Sequence, residues 1–424
     1  MSRVVKDRLT RRRGGYGKHQ GAAMKAGWEV KELGAVSAIN YGYTESASSE
    51  PVGPRFLRIT DIQDDRVDWE NVPYCKIESA DLSKYRLASG DIVFVRTGAT
   101  TGKSFLVNEP PDAVFASYLI RLRLLDKKLL PEFVSLFFQT YGYWKSIKDG
   151  SVGSAQGGFN ATKLSALSIP IPPLPEQRKI AAILSTWDEA LEKLDALIAA
   201  KDRRKQALIQ QLLTGQKRVK GFSGKWRTQE LGSAVTPISR PVPKPVEPFL
   251  AAGIRSHGKG VFLKPDFKPS EIALDELFQL RTNDLVVNIT FAWEGALAIV
   301  PPEANGALVS HRFPAFRCVD GKTALGFIRH LVRTKHFVFS CGLSSPGGAG
   351  RNRVLSKTSF LKIVVSMPSF PEQTEIAAIL DTCDEELRIL RTQRVALDQQ
   401  KRGLMQRLLT GRVRVHPEKE SQHA

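Results

Sequence analysis

The sequence is poor in the residues that build covalent and metal frameworks. Its 424 residues include four cysteines and seven histidines, and the histidines are isolated. The cysteines form no CxxC pair, which excludes a disulfide framework and a thiolate zinc site and favours a reducing, cytoplasmic location. No apolar run approaches the roughly 20 residues that cross a bilayer, and the N-terminus lacks a signal-peptide core. We therefore expect no membrane partner.

Motifs for catalysis are missing as well. No Asn-Pro-Pro-aromatic or Asp-Pro-Pro-aromatic tetrapeptide of an amino-methyltransferase is present, and no GxGxxG opens a helix. The segment 98–104 resembles a phosphate-binding loop, but three residues instead of four separate its glycines, so we interpret it as strand-turn-strand. Asp266 and Glu271 lack the following Glu-x-Lys of a nuclease. We predict no catalytic residue, no metal site and no cofactor bound by this chain.

Acidic residues are too few to balance the basic ones. The sequence has 62 Lys and Arg against 43 Asp and Glu, a formal net charge of +19. Such a surplus favours a polyanion such as nucleic acid, because each cation that meets a phosphate releases counterions. The alternative is a basic protein that docks on acidic subunits. Residues 1–25 hold eight of the basic residues and predict a disordered basic arm.

The chain contains an internal repeat. Residues 175–177, Pro-Glu-Gln, recur at 371–373, and residues 212–215, Leu-Leu-Thr-Gly, recur at 408–411, both at an offset of 196 (371 minus 175). No gap is needed between these markers. Weaker sequence similarity extends the repeat upstream, where for example Trp28 corresponds to Trp226. Each half is thus a variable region followed by a closely matched segment.

The matched segments have the apolar spacing of coiled-coil helices, with prolines at their starts and glycines at their ends. About 37 residues would form a rod roughly 55 Å long, and the simplest partner of each helix is the other copy. The predicted seam consists of Ile180, Leu184, Trp187, Leu191, Leu194, Ile198, Leu208 and Leu212, with Ile376, Leu380, Cys383, Leu387, Leu390, Leu397, Leu404 and Leu408 in the second copy.

Basic residues interrupt both seams. They are Lys201 and Lys205 in the first helix, and Arg394 and Lys401 in the second. Polar seam residues fix the register and orientation of paired helices at a cost in stability. The alternative is that these side chains point at DNA or at a partner.

The variable regions predict mixed α/β domains. In the first half we expect strands at 91–95, 105–108, 119–125 and 168–171 and a helix at 129–148. We interpret the stripe on that helix as core, with a stacking platform for bases as the alternative; its residues are Phe133, Leu136, Phe137, Tyr141 and Trp144. In the second half we expect strands at 284–289, 296–300 and 360–366 and a helix at 324–339. The fold class is α/β, with two globular mixed α/β domains separated by two long antiparallel coiled-coil helices and an internal pseudo-two-fold repeat. The predicted divisions are an arm at 1–25, domains at 26–174 and 216–370, helices at 175–215 and 371–412, and a tail at 413–424.

Several motifs resemble one family. The run from Pro173 to Gln177, the Ile-Ala-x-Ile-Leu that follows and the Leu-Leu-Thr-Gly resemble the specificity (S) subunit of type I restriction–modification systems. The second copy departs from the usual Leu-Pro entry with Phe370-Pro371. Residues 90–99 and 293–296 also resemble target-recognition segments of that family. The likeness covers residues 26 to 415.

This resemblance implies a function for each part. Two target recognition domains would each bind one half of a bipartite, asymmetric site in double-stranded DNA, for phage defence. The helices would set the spacing and dock two modification (methyltransferase) subunits, with restriction (translocase and nuclease) subunits beyond them. S-adenosylmethionine, ATP and Mg²⁺ would bind those partners. Alternatives are a catalytic fragment of a fused restriction–methylation enzyme and a DNA scaffold without sequence preference.

Polar and basic loops that differ between the halves supply the candidate DNA contacts, because Arg suits guanine and Asn or Gln suits adenine. In the first half they are Arg58, Thr60, Arg96, Thr97, Lys103, Ser154 and Gln156. In the second half they are Arg255, His257, Lys259, Asn288, Trp293, Arg312, Arg351, Asn352 and Arg353.

Overall fold

The computed structural model describes residues 27–63, 66–151, 159–345 and 353–416, without the side chains of residues 149–151. The chain divides into two compact units, which we call unit 1 (Met1–Glu192 with Val395–Ala424) and unit 2 (Lys193–Arg394). The predicted N-terminal arm and the tail beyond residue 416 lie outside the described residues.

Unit 1 is built on short strands. They are β1 (Glu29–Glu32), β2 (Ser37–Tyr41), β3 (Arg55–Leu57), β4 (Ile62–Gln63), β5 (Arg66–Val67), β6 (Ile92–Val95), β7 (Ser104–Leu106), β8 (Ala113–Phe115), β9 (Leu119–Leu124) and β10 (Ser168–Ile171). An antiparallel sheet has the order β2-β9-β6-β7, while β1 pairs with β10, β3 with β8 and β4 with β5. Strand β6 is buried throughout, because its residues 92–95 are all apolar.

The helices of unit 1 lie on both sides of this sheet, mostly on the side of Ile92 and Phe94. They are α1 (Leu33–Val36), α2 (Ser79–Tyr85), α3 (Pro131–Phe137), α4 (Tyr141–Ser151) and α5 (Ala161–Ser165), followed by the long α6 (Leu174–Leu212). Phe94 of β6 packs edge-on against Phe138 at a ring distance of 4.7 Å. The core of unit 1 therefore lies between β6 and the helices after β9.

The single helix predicted at 129–148 was wrong, because the chain forms α3 and α4 instead. The Thr140 hydroxyl accepts the Tyr143 amide at 3.3 Å and so caps a new helix. The break also redirects the aromatic stripe. Phe133 and Leu136 are buried as predicted, but Tyr141 and Trp144 of the same stripe are exposed, and Tyr143 is buried in their place.

Unit 2 repeats this plan and enlarges it. Its strands are β11 (Arg227–Glu230), β12 (Val235–Ile238), β13 (Pro241–Pro243), β14 (Phe249–Ile254), β15 (Val261–Phe267), β16 (Glu276–Gln279), β17 (Leu285–Val287), β18 (Leu297–Ile299), β19 (Leu308–Val309), β20 (Ala315–Cys318) and β21 (Val364–Met367). The order β12-β20-β17-β18 matches β2-β9-β6-β7, and β11 pairs with β21 as β1 does with β10. A five-stranded sheet, β13-β16-β19-β14-β15, contains a parallel pair β14-β19 like the β3-β8 pair of unit 1, and its three further strands make the two halves unlike.

The helices of unit 2 are α7 (Leu325–Leu331), α8 (Lys335–Leu343), α9 (Lys357–Leu361) and the long α10 (Phe370–Leu409). The helix predicted at 324–339 is divided like its counterpart, since Thr334 caps α8 through the Phe337 amide at 3.2 Å. The strand predicted at 360–366 begins later, because Phe360 belongs to α9, which is capped by Ser356.

The long helices confirm the predicted coiled-coil segments to within a few residues. In unit 1, Lys401 of α10 pairs with Asp188 of α6. In unit 2, Lys205 of α6 pairs with Asp384 of α10. Late residues of one helix thus meet early residues of the other within each unit, so the helices are antiparallel.

Candidate nucleic-acid interface

In unit 1 the loop between β6 and β7, residues 96–103, carries the predicted DNA contacts Arg96, Thr97 and Lys103. The Gly102 amide closes the turn by donating to the Val95 carbonyl at 2.8 Å. Gly98 and Gly102 both have φ of +88°, a conformation that residues with a side chain rarely adopt. The strand-turn-strand interpretation is confirmed, and we call this segment target loop 1.

Helix α4 holds target loop 1 in place. The Tyr143 hydroxyl donates to the Gly102 carbonyl at 2.6 Å. Ile147 lies so close that a Cβ on Gly102 would be 3.1 Å from its Cγ2. The Arg96 guanidinium lies 4.8 Å from the ring centre of Tyr41. The loop therefore presents its polar side chains from a braced backbone.

Arg58 and Thr60 lie beside a cleft of about 720 Å³ in unit 1. Arg58 donates to both carboxylate oxygens of Asp61, at 3.0 and 2.8 Å, and these bonds raise the pKa of Arg58. Thr60 is exposed. Thr60 is therefore placed to contact DNA. Arg58 instead has a structural role, because it binds Asp61 within its own turn.

In unit 2 the turn between β14 and β15 carries Arg255, His257 and Lys259, and all three side chains are exposed. The His257 amide donates to the Glu294 carbonyl at 2.8 Å, and the Gly258 amide to the Gly295 carbonyl at 3.0 Å. These bonds join the turn to residues 288–296, the counterpart of target loop 1, which we call target loop 2.

Further candidates meet at target loop 2. The Arg353 guanidinium lies 5.8 Å from the ring centre of Trp293, whose indole donates to the Thr290 carbonyl at 3.0 Å. The Ile289 amide donates to the carbonyl of exposed Arg312 at 3.1 Å. Three separate segments of unit 2 thus bring basic side chains to one loop.

Asn288 does not fit its predicted role. Its side chain is buried and its amide oxygen accepts the Thr290 backbone amide at 3.1 Å. An asparagine that satisfies its own turn in this way shapes the loop, and its burial keeps it from a base edge. Ser154, Gln156, Arg351 and Asn352 lie outside the described residues and stay predictions.

The repeated Pro-Glu-Gln motif has a structural role that the sequence did not reveal. Buried Glu176 accepts from Arg414 at 2.8 and 2.9 Å and from the Trp28 indole at 3.0 Å. Glu372 accepts from Arg218 in the same way, at 2.7 and 2.6 Å. The two arginines keep the offset of 196 (414 minus 218), a signal that lay just beyond the Thr-Gly marker.

The glutamine of the motif bonds the start of each long helix to the domain beside it. Gln177 donates to the carbonyls of Lys128 and Pro172, each at 2.8 Å, and accepts the Leu130 amide at 2.9 Å. Gln373 makes the equivalent three bonds in unit 2. The side-chain oxygen and nitrogen of each buried glutamine thus have hydrogen-bond partners, so the motif is a structural joint between helix and domain and not a catalytic site.

The turns before β6 and β17, which end in Asp91 and Asp284, are also structural. Asp91 is bound by Arg123 at 2.7 Å and caps the turn through the Ala88 amide at 2.8 Å. Asp284 is bound by Arg240 and Arg317 at 2.6 and 2.9 Å. These ion pairs to buried carboxylates fix the strand that leads into each target loop.

The predicted seam residues are all buried or half-buried. The basic residues that interrupt the seam are paired with carboxylates of the other helix: Lys201 with Glu386, Lys205 with Asp384, Arg394 with Asp195 and Lys401 with Asp188. This pairing favours a role in register, and their direction toward the other helix does not suit DNA contact.

One cluster in unit 2 has the residue types of a metal site. The ligand atoms of His330, Asp381 and Asp384 lie within 4.8 Å of one another. However, Arg329 binds Asp381 at 3.2 Å and Lys205 binds Asp384. Two cations already neutralise the carboxylates, so the cluster is an ion-pair network.

Within the described ranges, no helix is long and apolar enough to cross a membrane.

Comparison with known proteins agrees with this arrangement. Residues 25–201 match the family model of the type I restriction modification DNA specificity domain. A putative type I restriction enzyme specificity subunit, MjaX of Methanocaldococcus jannaschii, is 26% identical over 92% of this chain and 94% of the relative.

Solved structures share the fold. The HsdS subunit of Thermoanaerobacter tengcongensis superposes with a TM-score of 0.51 and 16% identity, covering 93% of this chain and 99% of the other. A chain from a study of complex assembly and conformational transition of the type I R-M system gives a TM-score of 0.58 at 17% identity, with 92% and 100% covered.

Duplicated α/β units with paired long helices are the fold that this chain shares with these structures. The chain is similar over most of its length to specificity subunits of type I restriction–modification systems, and residues 25–201 match the DNA specificity domain of that family, as the Pro-Glu-Gln helices predicted.

Proposed function

We propose that this subunit recognises a bipartite DNA site, with unit 1 binding one half and unit 2 the other. The observation that carries this proposal is the internal repeat: the sheet β2-β9-β6-β7 and its counterpart β12-β20-β17-β18 present target loops of different sequence. Unlike loops on a common framework suit an asymmetric site, because each loop meets different base edges.

We also propose that two copies of one modification subunit dock on the long helices. Five exposed residues of α6 are identical to their exposed counterparts in α10, and the first four, spaced by seven, four and three, lie on one helix face. These four are Pro175, Ala182, Thr186 and Glu189, matched by Pro371, Ala378, Thr382 and Glu385. We call these two sets the docking stripes.

The requirements of folding do not explain why the two docking stripes have the same residues. Exposed substitutions usually change stability by less than about 0.5 kcal/mol, so such positions are free to diverge. Neighbouring exposed positions have diverged, for example Arg178 against Thr374 and Leu197 against Gln393. A shared surface on otherwise unlike halves suits two identical partners. The methyl donor would belong to these modification subunits, and ATP, which drives translocation, to the restriction subunits, with Mg²⁺ also on partner subunits.

Bipartite recognition is tested by mapping methylated adenines in cells that express the chain with its modification subunit. We expect one asymmetric motif in two parts separated by a fixed gap. A methylated site that is one continuous motif, or methylation without sequence preference, would overturn bipartite recognition. Methyl transfer by the chain alone would support the enzyme alternative instead.

Docking is tested with Ala182→Arg and Ala378→Arg, which place a long cation in the middle of each stripe. We expect each single variant to retain one modification subunit and the double variant none, as measured by native mass spectrometry. Gln206→Arg is the control, because Gln206 is exposed on α6 and differs from its counterpart Arg402. Two bound subunits in the double variant would exclude these stripes as the dock.

A further inference from the structure

Large apolar side chains are exposed on the same helix in both units. On α4, Tyr141 is 72% and Trp144 41% exposed. On α8, Phe339 is 64% and Leu343 73% exposed. Leaving such side chains in water forgoes the free energy of burying them, so their exposure on the equivalent helix of both units, although at different positions along it, points to a partner that covers them.

Both helices lie directly against the target loops. Ile147 and Tyr143 of α4 contact Gly102 of target loop 1. In unit 2, a Cβ on Gly295 of target loop 2 would be 3.2 Å from Val338 of α8. The exposed apolar side chains are therefore carried by the helices that brace the target loops.

Positive charge accompanies the apolar side chains. Lys145 and Lys148 follow Tyr141 and Trp144 at helical spacing along α4. Lys335 and His336 precede Phe339 and Leu343 on α8, which has no acidic residue in its nine positions. We call the two sets the outer stripes. A surface that combines cations with apolar groups suits DNA, whose grooves offer phosphates beside thymine methyls and base faces.

The two outer stripes differ in residue type, and this difference favours DNA over protein as their partner. Two identical subunits require like surfaces, which the docking stripes supply, whereas the outer stripes carry Tyr and Trp in one unit and Phe and Leu in the other. Unlike surfaces suit unlike half-sites. We propose that the outer stripes of α4 and α8 are a second DNA-contacting element in each unit, whose apolar side chains help to determine the half-site. This proposal rests on the proposed function.

The experiment uses the full chain in complex with its modification subunits, with Tyr141→Ala/Trp144→Ala and Phe339→Ala/Leu343→Ala as separate double variants. The probes are a duplex with the mapped target and duplexes with either half-site scrambled. We expect each variant to lose about tenfold in affinity for the target duplex and to lose discrimination at its own half-site alone.

The controls separate the possible failures. Val246→Ala removes an apolar side chain that is 91% exposed elsewhere in unit 2 and should leave DNA affinity unchanged. Unchanged affinity in both double variants, with an intact wild-type preference, would overturn the inference alone. Loss of a modification subunit would do the same by assigning the stripe to protein docking. A wild-type complex without bipartite preference would overturn the proposed function as well.

Discussion

At the scale of single residues, two buried carboxylates hold the long helices to their units. Burial raises the pKa of Glu176, but hydrogen bonds from Arg414 and Trp28 outweigh it and the pKa falls below its ordinary 4.5. A carboxyl with a lower pKa in the folded state contributes stability above its unfolded pKa and loses it as pH falls. The joint therefore stabilises the fold at neutral pH and weakens in acid.

We predict that Glu176→Gln lowers the free energy of unfolding by about 3 kcal/mol at pH 7, because it leaves Arg414 without its counter-charge. Denaturant titration at pH 7 and pH 4 checks this, since the difference from wild type should shrink in acid. Glu192→Gln is the control, because its ion pair with Arg66 is exposed and such pairs contribute about 0–1 kcal/mol. Equal losses in both variants would contradict a special role for the joint.

His330 predicts a second pH dependence. Burial lowers its pKa below the ordinary 6.5, against the opposing bond from Asp381, and Arg329, Asp384 and Lys205 are the other charged groups around it. A histidine with a lowered pKa costs stability when it is protonated, so unit 2 should lose stability as pH falls below 6.5.

The test replaces His330 with leucine, the residue at the equivalent position 136 in unit 1. We expect the melting temperature of the wild type to fall more between pH 7 and pH 5 than that of His330→Leu. Parallel pH profiles for the two proteins would assign the acid sensitivity to other groups.

At the scale of elements, paired charges define the register of the long helices. Lys401 is mostly buried beside Asp188, and Lys205 stands in the same relation to Asp384 at the shared offset. We predict that Lys401→Glu destabilises unit 1 by about 1–3 kcal/mol through repulsion, and that adding Asp188→Lys restores most of the loss. A double-mutant cycle by thermal unfolding measures this coupling. A coupling near zero would mean that the apolar seam alone sets the register.

The sequence predicted the elements with strong periodicity and missed those set by single capping residues. Long helices follow from apolar residues repeated over many turns, and α6 and α10 were found where the repeat placed them. The breaks before α4 and α8 depend on one threonine hydroxyl each, and the surrounding apolar pattern hides them. Period alone cannot distinguish one helix from two that share an aromatic face.

The site was predictable only in part for a similar reason. Composition identified basic loops, and those of unit 2 do meet at target loop 2. Whether a given polar side chain faces outward depends on the turn that holds it, as the buried Asn288 and the paired Arg58 demonstrate. The outer stripes stayed hidden because exposed aromatic residues look like core residues in sequence.

At the scale of the whole molecule, a net charge of +19 implies a strong ionic contribution to DNA binding. If the complex contacts six to ten phosphates, affinity for random duplex should fall by about 10³–10⁵ between 50 and 200 mM salt. Titration of the assembled complex at several salt concentrations gives the slope. A nearly flat slope would mean that the surplus charge serves protein docking, the alternative that composition left open.

The same titration separates the two kinds of contact in unit 2. Exposed Lys259 suits a phosphate, so Lys259→Ala should weaken all duplexes alike and reduce the slope by about 1. Arg353, held over the Trp293 ring, suits a base edge, so Arg353→Ala should leave the slope unchanged and relax one half-site by about 1–3 kcal/mol. If the two variants behave alike, Trp293 does not aim Arg353 at a base.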